Sequence, residues 1–79
     1  MTPYELGKTI RKHRKEAHLT QAVVAAQAGI SRPTLSKIEQ GLLANVSIRA
    51  LFLILDTMNL ELDVVSQKSF GLPVLKSID

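Results

Sequence analysis

The chain has 79 residues, 46% of them hydrophobic and only 4% aromatic, with a formal net charge of +3. That length holds one small domain and a short arm or tail, and such a domain removes only ~60% of its unfolded surface from water. Cysteine is absent, which excludes disulfides and thiolate metal or redox sites. His13 and His18 share no helix face, so a structural zinc site is not expected; no cofactor is expected either. A partner subunit is the stabiliser left to a domain of this size.

The longest apolar run, Ala50 to Leu55, falls far short of the ~20 residues of a membrane span. The N-terminus has no apolar stretch ahead of a cleavage site, so the expected location is the cytoplasm, with no membrane partner. Charge is unevenly placed. Residues 1–40 carry Lys8, Arg11, Lys12, Arg14, Lys15, Arg32 and Lys37 against Glu5, Glu16 and Glu39, a balance of +4. Residues 41–79 carry Arg49, Lys68 and Lys76 against Asp56, Glu61, Asp63 and Asp79, a balance of −1. The basic half suits a polyanion and the near-neutral half suits protein contacts.

Thr2-Pro3 opens the first predicted helix, with Thr2 as N-cap and Pro3 in the first helical position. Leu6, Ile10 and Ala17 recur at helical spacing, Arg14 completes their stripe, and the helix is expected to reach about Ala17. Thr20 is a second N-cap; a short helix over 21–28 follows, and Gly29 ends it by supplying a positive φ. Ser31 is a third N-cap, with Pro33 tolerated in the first turn of a helix that ends at Gly41. In that third helix Leu35 and Ile38 share one face, while Arg32, Pro33, Ser36, Lys37 and Gln40 share the other.

Ser47 caps a fourth helix over roughly 48–58, apolar nearly all round, so more than one of its sides is expected to be covered. Asn59 breaks it. Glu61-Leu62-Asp63-Val64 then alternates polar and apolar, and with Val65 predicts a strand of about six residues. A lone strand finds no partner in its own chain, and the economical solution is its own copy across a two-fold axis. Leu62, Asp63, Val64 and Val65 are therefore expected to form a dimer strand. Residues 1–67 are expected to form one domain and 68–79 a flexible tail. Phe70, Leu72, Val74 and Leu75 are more apolar than an inert tail requires, which leaves a partner-binding segment as the alternative.

The segment from Thr20 to Gly41 carries the functional argument. Two short helices joined by a tight glycine-containing turn form a helix-turn-helix. Small Ala25 stands where the two helices cross, and Val24, Ile30, Leu35 and Ile38 are apolar on the inner side. Burying one face of the third helix displays the other, which can enter a major groove. Arg32 and Lys37 can donate to guanine there, and Ser36 can donate or accept. Gln21 and the free amides at the helix starts suit backbone phosphates. The run Arg11-Lys12-His13-Arg14-Lys15 reads instead as the solvated face of a helix lying behind the motif. No Ser, Cys or carboxylate arrangement makes a catalytic unit of either histidine, so no enzyme is expected.

Thr20-Gln21, Ala28-Gly29-Ile30-Ser31 and Ile38-Glu39-Gln40-Gly41 resemble the pattern of the phage-repressor (XRE-type) helix-turn-helix family over about residues 4–59. The resemblance implies an all-α, four-to-five-helix lambda-repressor-like domain that binds double-stranded DNA at a palindromic operator as a homodimer. It also implies a structural ion pair between Arg14 and Glu39. Base reading falls to Arg32, Pro33, Ser36 and Lys37. Phosphate binding falls to Thr20, Gln21, Ser31, Thr34, Asn45 and Ser47. Pro33 departs from the family, standing where many relatives place a polar base-reading side chain, and can offer only shape or a thymine-methyl contact.

The run LFLILDTMNLELDVV resembles the end of HipB-type antitoxins, which implies an autoregulating repressor with a HipA-like kinase toxin as partner. A phage or restriction-modification control regulator is an alternative, as is a protein-interaction module of the same fold without DNA. The third helix argues against the interaction module, since it carries two cations and no acid on its outer face.

Overall fold

The computed structural model describes residues 1–66, which form four helices: α1 (Pro3–Glu16), α2 (Gln21–Ala28), α3 (Arg32–Glu39) and α4 (Ile48–Thr57). Each begins with the same local chemistry. Thr2, Thr20, Ser31 and Ser47 hold extended backbone and accept the amide of the residue three positions on. A cap of this kind contributes ~1 kcal/mol. Thr2 and Glu5 close a full capping box, with both reciprocal bonds at 3.1 Å.

The helix ends are equally uniform. His18, Gly29, Gly41 and Asn59 all adopt positive φ. The amide that follows each one donates to the carbonyl five residues back: Leu19 to Arg14, Ile30 to Ala25, Leu42 to Lys37 and Leu60 to Leu55. This is the Schellman closure, which satisfies carbonyls that the helix leaves free. Leu19, Ile30 and Leu60 then fold back against the core.

α2 packs on both α3 and α4, and α1 packs on α3. Ile10, Val24, Leu35, Ile38 and Ile54 are fully buried and give each helix at least one anchor in a single cluster. Gly7 sets how closely α1 approaches α3. A Cβ there would collide with the Ile38 carbonyl oxygen and lie 2.8 Å from that of Glu39. Gly41 repeats the device from the other side, since its Cβ would sit 2.8 Å from the Tyr4 backbone.

The four helices among the described residues agree with the expected all-α domain. Several expectations are corrected. α1 ends within a residue of the expected Ala17, but Ala17 is an exposed C-cap outside the apolar stripe. α3 stops at Glu39, with Gln40 as its C-cap. α4 buries Ala50, Leu51, Ile54 and Leu55, but Ile48 and Phe52 on its outer side are 65% and 50% exposed. The expected strand does not form within the described residues. Strand pairing needs a second backbone edge, and a helical domain offers none. Leu62, Asp63, Val64 and Val65 are therefore exposed, Val64 at 92%. The expected tail, 68–79, and Gln67 lie outside the described residues.

Candidate nucleic-acid interface

α2 and α3 meet through the Gly29 turn, and the N-cap at Ser31 starts α3 within two residues of it. Leu35, Ile38 and Glu39 are buried. The opposite arc presents Arg32, Pro33, Lys37 and Gln40 to solvent, with Ser36 half-buried between them. At ~100° per residue these five side chains occupy about 140° of the helix circumference, and the arc carries two cations and no acid. The Gln40 side-chain amide donates to the Ser36 carbonyl at 3.2 Å and to the Ser36 hydroxyl oxygen at 3.3 Å. That leaves the Ser36 O–H free to donate outward, a restriction the sequence did not disclose.

Behind this arc lies a buried ionic centre. Arg14 Nε donates to Glu39 Oε2 at 2.6 Å and its Nη2 to Oε1 at 3.0 Å, a bidentate pair joining α1 to the end of α3. The third guanidinium nitrogen reaches the Leu19 carbonyl at 2.9 Å. Gln21 Nε2 donates to the same Glu39 Oε1 at 3.1 Å, which ties the start of α2 to the pair. Among the described residues no buried side-chain nitrogen or oxygen lacks a partner. The charges are thus held in full hydrogen-bonding geometry, as burial requires.

The polar residues assigned to phosphates are differently placed. Gln21 is half-buried and already bonded to Glu39 through one amide hydrogen. Thr20, Ser31 and Ser47 spend their hydroxyl oxygens on capping the amides of Val23, Thr34 and Ala50. The Thr34 hydroxyl pairs with Ser31 at 2.8 Å. Asn45 is exposed in the loop before α4 with φ at +63°. Ser47 faces the α2–α3 turn, in a cleft with Gln27, Gly29 and Arg49 rather than beside Gln21.

The basic residues Arg11, Lys12 and Lys15 of α1 are exposed, as the sequence reading expects. Arg11 is solvent-exposed yet lies beside the motif. With Tyr4 and Lys8 it lines a cleft whose other wall is Gln21, Ser36 and Gln40. Arg14, from the same run, is buried, in keeping with its place on the apolar stripe and in the ion pair. Spacing along α1 gives the inward stripe of Leu6, Ile10 and Arg14 but not the nearness of Arg11 to α3, which depends on the close approach that Gly7 allows.

A helix-turn-helix whose outer helix presents a cationic face with no acid defines a DNA-binding domain. Residues 10–65 match the helix-turn-helix family HTH_3, and the chain belongs to this XRE-type family of DNA-binding regulators. Comparison with curated proteins gives no match. Among solved structures, a HipA–HipB–O2–O3 complex contains a chain similar to this one at 25% identity and a TM-score of 0.74, covering 86% of this chain and 94% of that one. The restriction-modification controller protein C.AhdI from Aeromonas hydrophila is similar in fold, with 24% identity and a TM-score of 0.66 over 75% of this chain and 88% of its own. A chain of the SinR–SinI complex is 31% identical, with a TM-score of 0.61, over 70% of this chain and 53% of that one. Among the described residues no helix is long and apolar enough to cross a membrane, and no cluster of side chains suits a metal ion.

Proposed function

We propose that the protein is a homodimeric transcriptional repressor that reads a palindromic operator with α3, and that it serves as the antitoxin of a HipB-like pair with a HipA-like kinase toxin. The outer arc of α3 carries the reading: Arg32 and Lys37 stand exposed with no acid beside them on a helix whose other face is locked in the core. Arg32 and Lys37 would donate to base edges, Ser36 would donate its free O–H, and Pro33 would supply shape. Gln21 and the first-turn amides of α2 and α3 would meet phosphates, with Thr20, Ser31, Thr34, Asn45 and Ser47 as further polar contacts.

Dimerisation is supported by apolar surface at the C-terminal end of the domain. Ile48 and Phe52 lie one turn apart on α4, and Leu62, Val64 and Val65 follow them in the sequence, all exposed in the single chain. Phe52, Leu53 and Leu62 border one shallow groove. A second copy would cover this surface and give residues 62–65 the edge they lack. Two copies of α3 would then fall about one helical turn (~34 Å) apart on the duplex. The antitoxin role is supported by the HipB likeness, which covers 86% of this chain. An operon without an adjacent kinase-like reading frame contradicts that role.

Sedimentation velocity tests the assembly. At micromolar concentration the protein is expected to run as a dimer, and to load two subunits onto a duplex from the region upstream of its gene. A monomer that stays monomeric on DNA would overturn the strand-pairing argument.

A further inference from the structure

We infer that the cleft between α1 and the C-terminal end of α3 is a second DNA contact, a backbone-phosphate site in which Lys8 and Arg11 supply charge and Gln21 a directed donor. The inference rests on the reading of α3 as the groove-facing helix, and it extends the interface to a helix that the sequence assigns to the rear of the motif.

Three elements converge at this cleft: Tyr4, Lys8 and Arg11 from α1, Gln21 from the start of α2, and Ser36 and Gln40 from α3 and its cap. The carboxylate in its floor, Glu39, is buried and matched by the bidentate Arg14 guanidinium. The open part of the cleft therefore presents two cations, Lys8 and Arg11, with no ion-pair partner among the described residues. Glu5, the single acid in the N-terminal half of α1, is held in the capping box with Thr2. The Lys8 ammonium stands 5.2 Å from the centre of the exposed Tyr4 ring, a cation–π distance that keeps it at the rim. Gln21 is held by Glu39 through one Nε2 hydrogen, so its second hydrogen has a fixed direction.

Position relative to α3 gives the cleft its ligand. A major groove is ~12 Å wide and a helix with its side chains is ~10–12 Å across. A helix seated in the groove therefore has a sugar-phosphate strand along each flank. Ser36 and Gln40 belong both to the outer arc of α3 and to the wall of this cleft, so the cleft opens on one such flank. A phosphate there would meet the Lys8 ammonium, the Arg11 guanidinium and the Gln21 amide together, which is charge-assisted binding with geometric selectivity.

The test uses the full chain and fluorescence anisotropy on two duplexes, one from upstream of its gene and one random, over a series of salt concentrations. Lys8→Gln and Arg11→Gln are each compared with Lys12→Gln, which removes the same charge one residue on, outside the cleft. Thermal melts of each variant establish that it is folded. In the two cleft variants the slope of log affinity against log salt becomes shallower by ~0.9 per lost contact, and affinity falls by a similar factor on both duplexes. Lys12→Gln keeps the wild-type slope. If Lys12→Gln and Arg11→Gln lower the slope equally, or neither cleft variant changes it while wild type still prefers its upstream duplex, the site is overturned and the reading of α3 stands. If wild type itself shows no preference, both readings fall.

Discussion

Replacing Glu39 by alanine is expected to destabilise the domain by ~3–5 kcal/mol, the cost of leaving one partner of a buried ion pair uncompensated. Among the described residues the carboxylate is the only acceptor for two Arg14 nitrogens and for the Gln21 amide. Its removal strands a buried guanidinium that retains just the Leu19 carbonyl. For a domain of this size each kcal/mol moves the midpoint by ~4–8 °C, so Tm should fall by at least about 12 °C. The double substitution Arg14→Met with Glu39→Leu separates this from simple loss of packing. With both charges gone, the apolar replacement should recover most of the stability, because a buried pair is often no better than well-packed hydrophobic residues. Urea unfolding of the three proteins measures both values. A loss below ~1 kcal/mol for Glu39→Ala would mean that the pair behaves as a solvated one.

Arg32→Ala is expected to weaken operator binding by ~1–3 kcal/mol, relaxing preference at one base position, while barely changing affinity for random duplex. Arg32 is the first helical residue of α3, exposed, and none of its side-chain nitrogens is hydrogen-bonded among the described residues. Its truncation therefore leaves the fold intact, and the thermal midpoint should stay near that of wild type. The discriminating quantity is the difference between the two duplexes. An equal loss on both, with a shallower salt dependence, would reassign Arg32 to a phosphate.

The parts of this fold that were legible in the sequence are those whose physics is local. Thr2, Thr20, Ser31 and Ser47 announce helix starts because a side-chain oxygen three residues before a free amide is a short-range arrangement. All four cap in the structure. Gly29 and Asn59 announced helix ends for the same reason, but His18 did not, since only its place between α1 and Leu19 requires a positive φ of it. Features that depend on how helices meet were hidden. Gly7 looks like an unfavourable residue inside a helix, and its use is visible only once the α3 carbonyls lie against it. Arg11 reads as one more surface cation until α1 is docked and the cleft beside Gln21 exists. The Leu62–Val65 alternation is a sound strand pattern by periodicity, yet a strand is a property of two edges, and one chain brings only one of them.

Whether α3 reads sequence is decided by anisotropy titration of wild-type protein, using DNA from upstream of its own gene against random duplex of equal length at two salt concentrations. The prediction is a preference of roughly tenfold or more that persists at the higher salt, because base contacts survive when phosphate contacts are screened. Weak binding, equal on both duplexes and lost together as salt rises, would contradict it and reduce the arc of Arg32, Ser36 and Lys37 to a basic surface.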